Sequence, residues 1–127
     1  LAHCDILKIA DNELDFLGCG VEELRSRCPD IRLFCLTMGA SGSRAYYEGL
    51  RAERPALALG GVTDTTGAGD TFCACMLDFV LRRGLDSLCG EEIAEALRFA
   101  NAAAYLVTTK KGALLSMPER EDVLALL

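Results

Sequence analysis

Residues 64–72 read DTTGAGDTF, and this is the segment of the chain best suited to chemistry. Glycines at 67 and 69 permit tight turns and the close approach of a ligand to bare backbone. An apolar, helix-forming run follows directly. Its first amides have no partner within the helix, and they point the positive end of the helix dipole toward the glycines. Loop and helix start together make a site for a small anion, above all a phosphate. Asp70 stands at the mouth of that site. A carboxylate beside a bound phosphate repels it unless it has a task. The natural task is to take a proton from an alcohol that attacks phosphorus. The other reading is that Asp70 is a helix N-cap, a role that Asp fills often. The residues alone leave the two readings about even.

The surrounding elements place this loop between a strand pattern and a long helix. Residues 4–9 (CDILKI) and 32–37 (RLFCLT) are short apolar runs of buried-strand type. Between them DNELDFLGCG, with Leu14 and Leu17 at helical spacing and Gly18 and Gly20 at its end, and residues 21–28 read as two helices. MGASG breaks regular structure, SRAYYEG alternates like an exposed strand, and residues 50–59 hold one or two more short strands. Residues 70–83 form a helix closed near Gly84, and residues 91–108 a second, alanine-rich one. After the loop TKKGALLSMP, Pro118 leads into a final helix with acidic residues in its first turn. Strands alternating with helices imply an α/β layered fold with a mostly parallel sheet.

Composition excludes several classes. Half of the 127 residues are hydrophobic, so the chain can bury a core and is not disordered. Net charge is −6 with scattered basic residues, which argues against a nucleic-acid partner. No apolar run reaches the roughly 18 residues that span a bilayer. Seven cysteines and a single histidine, His3, lack the paired spacing of a zinc site. Cys73 and Cys75 read better as small apolar helix residues than as a redox or metal pair, and reduced thiols point to the cytoplasm. A lysine-bearing GxxxxGK[ST] loop and the protein-kinase motifs are absent.

DTTGAGDTF resembles, at every key position, the second signature of the PfkB (ribokinase-like) carbohydrate kinases. The resemblance implies that Asp70 is the catalytic base and that the amides of Gly67, Ala68 and Gly69 form an anion hole for the transferring phosphoryl group. TMGASG is similar to a strand-end loop of the family at the nucleotide, which assigns Thr37, Gly39 and Gly42 to nucleotide binding. On the residues alone that loop is an ordinary hairpin turn. FANAAAYLVTTKKGA, residues 99–113, resembles the family helix beside the adenine, with Asn101 near the base. Otherwise Asn101 is a solvent-facing helix residue. The resemblance also implies a monovalent-cation site, potassium for preference, built from Asp64, Thr66, Val107, Lys110, Gly112 and Ser116, mostly through carbonyls. KIADNELDF is similar to a family segment in which Glu13 organises magnesium through water. Ala10 departs from the Asn or Ser common there.

The implied whole is a ribokinase-like layered fold, with residues 1–127 as its C-terminal nucleotide-binding portion. The N-terminal sugar-binding part and the lid lie outside this chain, so the portion alone is expected to be inactive. An apolar cut face is expected to drive self-association, with a homodimer possible. The implied activity is ATP-dependent phosphorylation of a sugar, fructokinase-type for preference. A ribokinase or 2-keto-3-deoxygluconate kinase is the alternative, and a non-catalytic nucleotide-binding module is the reading from another class.

Overall fold

The computed structural model describes residues 3–57, 59–112 and 116–127. Strand β1 (Ile6–Ala10) runs into helix α1 (Asp11–Leu17), followed by α2 (Val21–Arg27) and β2 (Leu33–Thr37). A single 3-10 turn, Gly39–Ser41, precedes β3 (Ser43–Tyr47) and β4 (Leu50–Arg54). Helices α3 (Ala68–Arg83), α4 (Gly90–Thr108) and α5 (Arg120–Leu126) complete the described chain.

The strands form one sheet in the order β1-β2-β3-β4. The expectation of a mostly parallel sheet needs correction within these residues. Only β1 and β2 pair in parallel; β2–β3 and β3–β4 are antiparallel. Connection length is the reason. The crossover through α1 and α2 can return the chain in the same direction, whereas residues 38–42 and the pair Glu48–Gly49 can only reverse it. At that second reversal both residues have positive φ, 45° and 84°, as a tight two-residue hairpin requires.

Both faces of the sheet are covered. Leu33, Cys35, Ala45 and Tyr47 pack against Phe72 and Met76 of α3 and Ile93, Leu97 and Ala100 of α4. On the opposite face Ile9, Phe34, Leu36 and Tyr46 pack with Leu14 of α1 and Leu24 of α2. Burial on two sides explains why β2 reads as an unbroken apolar run. It also overturns the expectation for β3, which is a buried strand and not an exposed one. Its tyrosines bury their rings while their hydroxyls stay bonded: Tyr47 donates to the Leu85 carbonyl at 2.6 Å, and Tyr46 accepts from Arg44 at 3.3 Å. Helix α5 lies on α4, where Val123 meets Ala102 and Ala103.

Candidate active site

A cleft of about 850 Å³ opens at the C-terminal ends of β1 and β2, within the range of roughly 300–1,000 Å³ typical of small-molecule pockets. Ligands of open α/β sheets bind in such crevices outside the carboxyl ends of strands. Its floor is the start of α3, with Ala68, Gly69 and Phe72. One wall carries Lys8, Ala10, Asp11 and Asn12; another carries Thr37, Gly39, Ala40 and Gly42. Ala56, Leu57, Val62, Ala104 and Tyr105 supply apolar surface, with Asn101 and Thr108 among them.

The α3 start explains the floor. Gly67 occupies the N-cap with φ 85°, a left-handed conformation natural to glycine, and no side chain caps the helix. Asp70 is therefore not the N-cap; it sits in the first turn and its carboxylate is free to act elsewhere. The side chain is exposed, stands just beyond the cleft wall, and makes no hydrogen bond or ion pair among the described residues. The amides differ from the expected trio. Ala68 donates to the Thr65 carbonyl at 3.3 Å and Thr71 to the Gly67 carbonyl at 2.9 Å. Gly67, Gly69 and Asp70 keep unengaged N–H groups among the described residues.

All four residues expected at the nucleotide, Thr37, Gly39, Gly42 and Asn101, line this one cleft. Gly42 has φ 104° and ψ −140°, and its backbone lies against residues 54–56. Asn101 is buried, at 8% exposure, and not solvent-facing. Its amide nitrogen donates to the carbonyls of Arg54 and Pro55 at 3.1 and 3.0 Å, so it fixes the wall that Gly42 touches. Tyr105 donates to the Gly60 carbonyl at 2.7 Å and ties the glycine loop to α4.

The residues expected around a monovalent cation gather at the C-terminal end of α4. Thr63 and Asp64 donate their amides to the Thr108 carbonyl at 2.7 and 3.1 Å, which lays the loop onto the helix end. The Asp64 carboxylate accepts from the amides of Thr66 at 2.9 Å and Gly112 at 3.3 Å, clamping both loops. The Thr66 hydroxyl, then the Thr66 and Gly112 amides, hold its carboxyl below the usual range. Val107 is fully buried, and its carbonyl accepts from the Lys110 amide at 3.3 Å. The Ser116 hydroxyl donates to the Lys111 carbonyl at 3.2 Å. Oxygen donors in this setting suit a hard cation. Ala113, which ends the segment 99–113, lies outside the described residues.

Glu13 sits apart from this cluster. One carboxylate oxygen accepts from the Ala10 amide at 2.7 Å and so caps α1; the same oxygen is 3.9 Å from the Lys8 ammonium. Lys8 is the residue that sequence reasoning left without a role. Its ammonium lies 3.2 Å from where a Cβ on Gly69 would stand. The available signal was one lysine inside an otherwise apolar strand.

Comparison with known proteins gives the family and the fold. The family model described as "pfkB family carbohydrate kinase" matches residues 1–120. Fructokinase-1 of Zea mays is 32% identical over 98% of this chain and 40% of its own length. The structure of an Arabidopsis thaliana ribokinase complexed with ribose and ATP superposes with a TM-score of 0.75 at 34% identity, covering 96% of this chain and 40% of that one. A Vibrio cholerae O395 fructokinase double mutant, in a form bound to fructose, ADP and a potassium ion, gives 0.80 at 29% identity, covering 95% and 40%. The chain thus spans about 40% of the relatives it matches. With the family match running through almost all of its residues, and with the ribokinase-like fold shared, the chain belongs to the pfkB family of carbohydrate kinases.

Proposed function

We propose that the protein containing this chain transfers the γ-phosphoryl group of ATP to a hydroxyl of a sugar, with fructose the preferred acceptor. The observation that carries this reading is the uncapped start of α3. It offers backbone N–H groups at the cleft floor beside an exposed carboxylate, Asp70, that is unpaired among the described residues. In the reaction Asp70 accepts the hydroxyl proton, the sugar oxygen bonds to the γ-phosphorus, and the bond from that phosphorus to the bridging oxygen breaks. ADP leaves with the electron pair. The amides of Gly69 and Asp70, with Gly67 beside them, face the charge of the moving group; Ala68 contributes less because its amide is engaged. The apolar wall between Leu57 and Tyr105 takes the base, and Thr37, Gly39 and Gly42 flank the nucleotide.

Magnesium would supply charge neutralisation for the nucleotide phosphates. Glu13, with one carboxylate oxygen that no described residue engages, would help to hold it through water. Potassium would be held by Asp64, Thr66 and the carbonyls around Val107, Lys110, Gly112 and Ser116. The sugar contacts would come from a part of the protein outside this chain. A homodimer and a reducing cytoplasm complete the proposal; the latter rests on an odd number of cysteines, seven, in an apolar chain. Ribose is the second acceptor to consider, given the ribokinase at 34% identity.

The test is ADP release by the complete protein with ATP, magnesium and potassium across fructose, ribose, 2-keto-3-deoxygluconate and adenosine. One acceptor should turn over, and Asp70→Asn should lower kcat by on the order of 10²–10⁴-fold with nucleotide affinity retained, because a base acts in the transition state. Nucleotide binding without turnover on any acceptor would point instead to a non-catalytic module.

A further inference from the structure

We propose that Tyr105 sets the base preference of the phosphoryl donor: its ring is the face on which the base stacks, which favours purine over pyrimidine nucleotides, and its hydroxyl holds that ring in place through Gly60. This rests on the kinase reading above and adds to it a specificity-determining residue of this chain.

Tyr105 lies in the last turn of α4, on the cleft wall, and is half-buried. Among the described residues, Tyr105 and Phe72 are the aromatic side chains that line the cleft. Phe72 has no face to offer a ligand: at 1% exposure it is packed in the core with Leu33, Met76 and Leu97. The neighbours of Tyr105 on the wall, Ala56, Leu57, Val62 and Ala104, are aliphatic. A flat heteroaromatic base that enters here therefore meets one π face, that of Tyr105.

The hydroxyl is engaged elsewhere. It donates to the Gly60 carbonyl at 2.7 Å. Gly60 and Gly61 have φ of 78° and 72°, and a Cβ on either would meet nothing within 4 Å. These glycines thus serve the turn of the backbone and not close packing. The same loop is tied to α4 a second time, where the Thr63 and Asp64 amides donate to the Thr108 carbonyl. A tyrosine has two side-chain torsions, and a bond at its far end restrains both. A ring held in this way loses little freedom when a base stacks on it, so the platform is preorganised. Nearby side chains are poorly placed to read the edge of a base. The Asn101 amide nitrogen is bonded to the Arg54 and Pro55 carbonyls, and the Thr108 hydroxyl to the Tyr105 carbonyl. What this wall supplies is selection by stacking area.

The experiment uses the complete protein and the variants Tyr105→Leu and Tyr105→Phe. KM and kcat are measured with ATP and with CTP, and tripolyphosphate, which has no base, is titrated as a competitor of ATP. The wild type should favour ATP over CTP. Tyr105→Leu should raise KM for ATP roughly 5–150-fold, the scale of one base stacked on an aromatic ring, and bring the ATP/CTP ratio of kcat/KM toward one. Inhibition by tripolyphosphate should not move. The loss falls on KM and not on kcat, because stacking is the same in the ground and transition states. Tyr105→Phe keeps the ring and loses one hydrogen bond, so it should retain the preference for ATP while KM rises roughly 2–10-fold. A wild type indifferent to the base, a ratio unchanged in Tyr105→Leu, or equal weakening of ATP and tripolyphosphate would overturn the proposal. Should Tyr105→Leu fold poorly, Tyr105→Phe decides. ATP weakened with tripolyphosphate unmoved supports the proposal, and equal weakening of both, or none, overturns it. If the wild type turns over no acceptor, the kinase reading fails separately. The same comparisons are then made by calorimetric binding of ATP, CTP and tripolyphosphate, on the same criteria.

Discussion

Gly42→Ala is the substitution whose cost can be worked most directly from the structure. A Cβ built on Gly42 would lie 2.2 Å from the Arg54 carbonyl oxygen, 2.6 Å from the Ala56 nitrogen and 2.7 Å from the Pro55 carbonyl carbon. All three are backbone atoms, and Asn101 holds that same backbone in place through the Arg54 and Pro55 carbonyls. No rotamer change can relieve the clash. The backbone at Gly42, φ 104° and ψ −140°, is also one that only glycine adopts readily, which costs a side chain about 1–3 kcal/mol. Overpacking adds about 1–3 kcal/mol. The expected loss is about 2–6 kcal/mol, against a total stability of about 5–15 kcal/mol for typical proteins. Gly39→Ala, in the same loop, is the control. Its φ is also positive, at 52°, but nothing lies within 4 Å of its Cβ, so about 1–2 kcal/mol is expected. Urea denaturation of both variants gives the comparison, with a slope of about 1–3 kcal/mol/M converting midpoints to free energies. Nucleotide titration gives the functional arm, since Gly42 lines the cleft. If Gly42→Ala costs no more than Gly39→Ala, the close crossing of residues 38–42 over 54–56 is wrong, and with it this wall of the cleft.

Two further outcomes follow from electrostatics. Arg44, then Arg51, hold the Glu53 carboxyl down to about 2 from an ordinary 4.5. A group whose pKa is lowered by folding lends stability above its unfolded value and loses it as pH falls. The β3–β4 hairpin should therefore weaken between about 4.5 and about 2, and Glu53→Gln should remove that part of the acid transition in a pH series of melts. Asp64 is the clamp between residues 63–66 and Gly112, so Asp64→Asn should abolish any difference between potassium and tetramethylammonium in the turnover assay. A variant that still distinguishes the two ions would place the cation elsewhere.

The loops of the site were legible in the sequence because glycine punctuates them. Runs such as GGVTDTTGAGD and MGASG cannot continue a helix or strand, and both border the cleft where they were expected. The helices were legible to within two residues at the start of α3 and one at α4. Sheet direction was misjudged because it was inferred from element alternation alone, when the brevity of residues 38–42 and 48–49 forces antiparallel pairing. Burial of β3 was hidden by tyrosines, which count as polar in an alternating pattern yet bury their rings. Asn101 escaped placement because the second half of α4 is apolar nearly all round, as FANAAA shows, so periodicity there gives no exposed face to assign it to. Lys8 escaped for a tertiary reason: only the packing of β1 beside the start of α3 brings it to Gly69.

The two long helices explain how an acidic chain can present opposite charges to one ligand. α3 begins at the cleft with Ala68 and Gly69, and α4 ends there with Thr108. The cleft therefore meets the positive end of one helix dipole and the negative end of the other. On the proposed function a phosphate would sit at the first, over the amides of Gly69 and Asp70. The proposed cation would sit at the second, where Asp64 adds a full negative charge. Thr63 and Asp64, bonded to the Thr108 carbonyl, span the short distance between the two ends. A cation bound there would lie along the loop that leads into Gly67, so it would both screen the phosphate and stiffen the turn that presents the amides. On this arrangement the anion hole and the cation site are one structural unit, and the loop DTTGAGD is the strap that joins them.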